Sequence, residues 1–150
     1  NKPFTPENYE NSCRRLANFS VCVESGNLTC SILETRRNYE LDLKEAQIIC
    51  SPEGKEVYLD AAIIECLQNN AADLKRGVDR CRNSTDEQAY EAARVYSLTN
   101  KDPEPLHYYC RFWEQNVNCI RQLYTANCGE KMGALIAKRA QIIGEVYEVC

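Results

Sequence analysis

The stretch CRFWEQNVNCIRQLYTANC, residues 110–128, carries three cysteines that are nine positions apart. Three cysteines with similar spacings of 9 and 8 positions occur near the start of the chain: Cys13, Cys22 and Cys30. A fourth cysteine follows each set, Cys50 after 20 positions and Cys150 after 22. The cysteine spacing therefore predicts an internal pseudo-repeat over about 6–50 and 106–150.

The segment that joins the two repeats, residues 51–105, adds Cys66 and Cys81 and brings the total to 10 cysteines. No two of them are closer than eight positions, whereas zinc and redox sites use clustered thiols such as C-x-x-C. An even, dispersed set is typical of disulfides in exported proteins. We therefore predict that all ten cysteines are disulfide-bonded and that the protein is secreted.

Helix geometry excludes two of the possible pairings. Residues nine apart on one straight helix are rotated by about 900° and separated by about 13.5 Å along the axis, beyond the reach of a disulfide. Cys13 is thus not expected to pair with Cys22, nor Cys110 with Cys119. The sequence leaves the other pairings open.

Apolar residues recur at the helical period along most of the chain, and no long alternation typical of strands occurs. The pattern predicts an all-α, disulfide-stapled bundle of about six helices in a single domain, residues 1–150. The predicted helices cover 6–24, 28–50, a segment around 59–67, 84–96, 106–127 and the residues after Gly129.

Several local signals set the predicted boundaries. Thr5-Pro6-Glu7 supplies an N-cap and a proline at the first helical position. Asn69-Asn70 and Gly77 weaken the third helix, and Ser84-Thr85-Asp86-Glu87 matches a capping box that predicts a new helix start. The two prolines of residues 100–105 predict a linker.

The net charge is small, with 18 basic and 22 acidic residues, so the chain shows no electrostatic footprint for nucleic acid. No apolar run is long enough to predict a membrane span. The polar start, Asn1-Lys2-Pro3, favours a mature exported chain without its signal peptide. Three N-glycosylation sequons begin at Asn18, Asn27 and Asn83.

His107 is the only histidine, so a hydrolase of the Ser-His-Asp or Cys-His kind would need it as its base. The chain has no G-x-S-x-G turn, and no free thiol is expected. A packed or capping histidine is the better interpretation. No calcium loop and no second histidine for zinc occur, so we predict no catalytic residue, metal site or cofactor.

The densest aromatic cluster consists of Tyr108, Tyr109, Phe112 and Trp113. Residues four apart share a helix face, so the cluster covers two neighbouring stripes that cannot both face one core surface. Core packing is the favoured interpretation. The alternative is a ligand pocket or a partner contact, where tryptophan and tyrosine are enriched.

The cysteine spacing from Cys13 to Cys30, the run Ala61-Ala62-Ile63-Ile64-Glu65-Cys66-Leu67 with Cys81 beyond it, and the Cys128-Gly129 pair together resemble a group of arthropod secreted proteins. This group includes insect haemolymph glycoproteins of the 27-kDa type and ten-cysteine proteins of spider secretions. The resemblance implies an extracellular, all-helical, disulfide-bonded protein without recognised catalytic residues. The acidic linker before Leu106 departs from the group's pattern.

Two functions fit these observations. The leading hypothesis is a non-enzymatic secreted glycoprotein that binds an extracellular protein or glycan. The rival is a carrier of a small hydrophobic ligand, as in insect odorant-binding proteins, although their C-x3-C pair is missing. A buried cavity lined by Tyr108, Phe112, Trp113, Ile136 and Ile143 would favour the carrier. A saposin-like membrane activity ranks third.

Overall fold

The computed structural model describes the backbone of residues 5–24, 33–99 and 106–146, but not the side chains at 19–24, 33–38, 97, 99, 106–111 and 146. The described residues form helices and no strand, which confirms the predicted all-α class. The helices are α1 Pro6–Glu24, α2 Leu33–Ile49, α3 Pro52–Tyr58, α4 Ala61–Asn69, α5 Ala71–Thr99, α6 Leu106–Cys128 and α7 Glu130–Val146. The predicted linker 100–105 and residues 28–32 of the predicted second helix lie outside the described residues.

The starts of α1 and α3 follow from local side-chain chemistry. The N–H of Asn8 donates to Thr5 Oγ1 at 3.2 Å, so Thr5 caps α1 as its sequence predicts. In α3 the N–H of Gly54 donates to Ser51 Oγ at 3.0 Å, and Pro52 occupies the first turn. Both caps satisfy donors that would otherwise lack partners at a helix start.

The predicted helix start at Ser84 is wrong and the predicted weakening at Gly77 does not interrupt the helix, because α5 runs unbroken from Ala71 to Thr99. A methyl group at position 77 would lie 2.5 Å from Leu123 Cδ2, so glycine admits a close approach of α6. Within the helix, the Thr85 hydroxyl donates to the carbonyl of Cys81 at 2.7 Å. Packing against α6 therefore outweighs the local preference for a break, which is worth only about 1 kcal/mol.

The described chain falls into two compact units, Asn1–Glu65 and Cys66–Cys150. The prediction of a single domain stays a prediction. In the first unit, a disulfide joins Cys13 of α1 to Cys50, which directly follows α2. Tyr9 is only 3% exposed, and its hydroxyl donates to the carbonyl of Ile49 at 2.6 Å. These two links fix the start of α1 to the end of α2.

The second unit is built around α6, which has its most extensive contacts with α7 and α5. Two disulfides reinforce this unit, Cys66–Cys128 and Cys81–Cys119. The core between α6 and α7 contains Val117, Ala137 and Ala140, and small alanine side chains let the helices approach closely. Other buried side chains of this unit are Leu74, Ala89, Met132 and Leu135.

Cys13 is bonded to Cys50, and Cys119 is bonded to Cys81. This confirms that Cys13 does not pair with Cys22 and that Cys119 does not pair with Cys110. Opposite faces of one helix are thus not bridged, as the helical rotation requires. The remaining predicted disulfide cysteines lie outside the described side chains: Cys22, Cys30, Cys110 and Cys150.

Replacing both Cys81 and Cys119 by serine should lower the free energy of unfolding by about 2–4 kcal/mol, because the bond closes a loop with a sequence separation of 38. Denaturant unfolding followed by circular dichroism measures this change. The exposed double variant Glu87→Ala and Glu91→Ala on the same helix serves as the control. A loss below about 0.5 kcal/mol, the usual range for surface substitutions, would contradict the stapling role of this disulfide.

The substitution Tyr9→Phe should lower the free energy of unfolding by about 1 kcal/mol near neutral pH, because the hydrogen bond to Ile49 is lost. Burial, and next the charge of Tyr58, raise the pKa of Tyr9 above its ordinary value of 10.0. The folded protein therefore holds this proton more tightly than the unfolded chain, and the stabilisation falls as pH rises above 10.

The difference in stability between wild type and Tyr9→Phe should accordingly shrink between pH 10 and 11, a window that begins at the ordinary pKa of 10.0 because the folded-state pKa is raised above it. Chemical unfolding at a series of pH values measures it. A difference that is constant or grows over this window would show that the Tyr9 hydroxyl is not a buried donor.

Candidate functional site

A cavity of about 450 Å³ opens on the second unit between α6 and α7. We call it the Trp113 groove. Its lining residues are Trp113, Glu114, Val117, Asn118, Gln141 and Glu145. The polar members are exposed and Val117 is only 5% exposed, so the groove has an apolar floor and polar walls.

Helical spacing explains how these residues meet. On α6, Trp113 and Val117 lie one turn apart, and Glu114 and Asn118 form a neighbouring stripe. On α7, Gln141 and Glu145 are also four residues apart and share a face. Two stripes from α6 and one from α7 therefore border one groove.

Trp113 is half-buried and packs against the core of Val117, Ala137 and Ala140. Gly144 makes room for its indole ring, because a methyl group at position 144 would lie 2.8 Å from Trp113 Cδ1. The indole Nε1 is buried without a hydrogen-bond partner among the described residues. The ring is thus held by packing rather than by a polar anchor.

Asn116 is a buried polar residue that the sequence pattern does not single out as a site residue. It is 6% exposed, and its Oδ1 has no hydrogen-bond partner in the described part of the chain. The sequence does contain a sign of it. Asn116 lies three residues after Trp113 and directly before Val117, so a polar side chain interrupts an apolar stripe of the helix. An unsatisfied buried amide costs about 1–3 kcal/mol, so this position calls for a water or a partner group.

The Trp113 groove carries both hydrogen-bond donors and hydrogen-bond acceptors. Its two carboxylates, Glu114 and Glu145, accept hydrogen bonds, and the amides of Asn118 and Gln141 both donate and accept. All four side chains are exposed to solvent. An indole ring between such groups supplies apolar contact area with polar groups at its edge, a combination enriched in binding surfaces.

A second groove, of about 440 Å³, lies between α5 and α6 beside the Cys81–Cys119 disulfide. Three glutamine side chains contribute to its lining, Gln88, Gln115 and Gln122, together with Arg80. Among the described residues that line this groove there is no aromatic side chain. We therefore place the candidate site at the Trp113 groove.

Of the predicted aromatic contact residues, the structure describes Phe112 and Trp113, and both are half-buried. The Tyr108 and Tyr109 side chains lie outside the described residues, as does that of His107. Among the predicted glycosylation sites, Asn18 and Asn83 are exposed on α1 and α5, whereas Asn27 is not described.

Within the described ranges, no group of three His, Cys, Asp or Glu residues is placed to hold a metal ion. The same residues include no helix that is both long and apolar enough to cross a bilayer. No family model, no curated protein and no solved structure matches this chain. The resemblance to arthropod secreted helical proteins therefore stays a prediction.

The substitution Gly144→Ala should displace the indole ring, because the added methyl group would overlap it. Trp113 is the only tryptophan, so its fluorescence reports this change directly. We expect a red-shifted emission maximum and a loss of about 1–3 kcal/mol in stability. The control is Lys138→Ala at an exposed position of the same helix. Identical emission spectra for wild type and Gly144→Ala would contradict the described contact.

Proposed function

We propose that this chain is a secreted, non-enzymatic, disulfide-rich helical glycoprotein, and that it binds an extracellular macromolecule through the Trp113 groove. The observation that carries the proposal is the composition of the groove, an indole ring and a buried valine bordered by four exposed polar side chains. Binding hot spots share this combination of an aromatic anchor and a polar rim.

The scaffold around the groove supports the same proposal. One wall of the groove, α6, is bonded by two disulfides to α4 and α5, so this wall is preorganised. Preorganisation lowers the entropy lost when a partner binds. Disulfides persist in oxidising compartments, which supports an extracellular location. Exposed side chains at Asn18 and Asn83 leave room for attached glycans.

The composition of the groove favours this proposal over the alternative of a hydrophobic carrier. A carrier cavity would use Ile136 and Ile143 in its lining, yet the residues of α7 that line the groove are Gln141 and Glu145. Carrier sites bury most of the surface of a small ligand among apolar groups. The Trp113 groove instead exposes charged and amide groups, which suit a partner with its own polar surface.

Affinity capture from the extracellular fluid of the source organism tests the proposal. We expect one defined macromolecule to be retained by the wild type and lost by the double variant Glu114→Ala and Gln141→Ala, which changes exposed groups only. The control is Tyr90→Ala, which removes an aromatic side chain that is 74% exposed on α5. Circular dichroism verifies that each variant is folded.

The captured molecule, once purified, should change the Trp113 emission in a saturable titration of the wild type. Equal retention by all variants would contradict a role of the groove. Native mass spectrometry adds a second readout, since a small lipophile that is released on unfolding would favour the carrier instead.

A further inference from the structure

The contacts between α6 and α7 define the register of an antiparallel helical hairpin. The chain turns at Gly129, whose positive φ of 90° suits glycine after a helix end. Near the turn Gly133 lies against Thr125, and further out Gly144 lies against Trp113. From Gly133 to Gly144 the chain advances eleven residues along α7, and from Thr125 back to Trp113 it covers twelve residues along α6. The two counts nearly agree, as expected for antiparallel helices with the same rise per residue.

The same register can be followed toward the open end of the hairpin. Cys110 precedes Trp113 by three residues, and the position three residues after Gly144 is 147. In this register position 147 corresponds to Cys110, and Cys150 follows it by only three residues. Packed helices have axes about 8–10 Å apart, and four residues beyond Val146 span up to about 13–14 Å. The chain is thus long enough to bring the two Cα atoms within disulfide distance, about 4.4–6.8 Å.

The pseudo-repeat supplies a second, independent argument. In the first set of four cysteines the structure joins the first to the fourth, Cys13 to Cys50. The corresponding members of the second set are Cys110 and Cys150. The inner members of that set, Cys119 and Cys128, are bonded to Cys81 and Cys66.

From the register and the repeat together, we propose that a disulfide between Cys110 and Cys150 closes the open end of the α6–α7 hairpin. To form this bond, two S–H bonds break and one S–S bond forms. The two protons and two electrons pass by exchange to a disulfide oxidant, which leaves as a dithiol.

This bond links α6 and α7 covalently at one end of the Trp113 groove. It lies one turn from Trp113, so it holds together the two helices that form the walls of the groove. The inference does not depend on the proposed function, because it concerns only how the hairpin is closed. It assigns a structural role to two cysteines that the pseudo-repeat singles out.

Non-reducing peptide mapping of the secreted, glycan-trimmed protein tests the proposal. Free thiols are alkylated at acidic pH before digestion with trypsin, which prevents exchange. The sequence suits this test, because the basic residues separate Cys110 and Cys150 into peptides 102–111 and 140–150. Cys22 and Cys30 share the single peptide 16–36.

We expect peptide 102–111 to be linked to 140–150. The link between peptides 1–14 and 45–55, which reports Cys13–Cys50, is the internal control for complete oxidation. With that control present, a link from peptide 16–36 to peptide 102–111 or to peptide 140–150 would overturn the proposal. Alkylated Cys110 or Cys150 would overturn it equally.

Discussion

Helix α6 is held from two sides, and the second unit depends on this constraint. On one side the Cys81–Cys119 disulfide ties it to α5, and on the other the small side chains Ala137 and Ala140 let α7 pack closely. The Cys66–Cys128 bond fixes its last residue to α4. Each alanine buries little apolar area, so these two residues add modest hydrophobic stabilisation at about 25 cal/mol per Å² of buried apolar area. The disulfides add to this stabilisation because they reduce the conformational entropy of the unfolded chain.

The same constraint gives the Trp113 groove its form. Because Gly144 has no side chain, the indole ring of Trp113 lies directly against α7 there and is half-buried. Exposed polar side chains then border it on both helices. This open, polar border is the reason why we propose that the groove binds a macromolecule and does not enclose a small apolar ligand.

Much of the fold could be predicted from the sequence, because helical periodicity and caps are local signals. The start of α1 at Pro6 and the break after Asn69 follow from single residues. The continuity of α5 could not be predicted, since it depends on Leu123 packing against Gly77. Disulfide partners are likewise set by distances between helices. For the site, the sequence pointed to Trp113 but not to Gln141 or Glu145, which reach the groove only through the register of α7.

Hydrogen–deuterium exchange of the oxidised protein shows whether α6 is held on two sides. We expect the amides of residues 115–125 in α6 to exchange slowest, because packing and two disulfides oppose their opening. The outer part of α5 provides the comparison, since Tyr90 and Leu98 are 74% and 73% exposed there. Exchange in α6 as fast as in residues 90–98 would show that α6 is not held in this way.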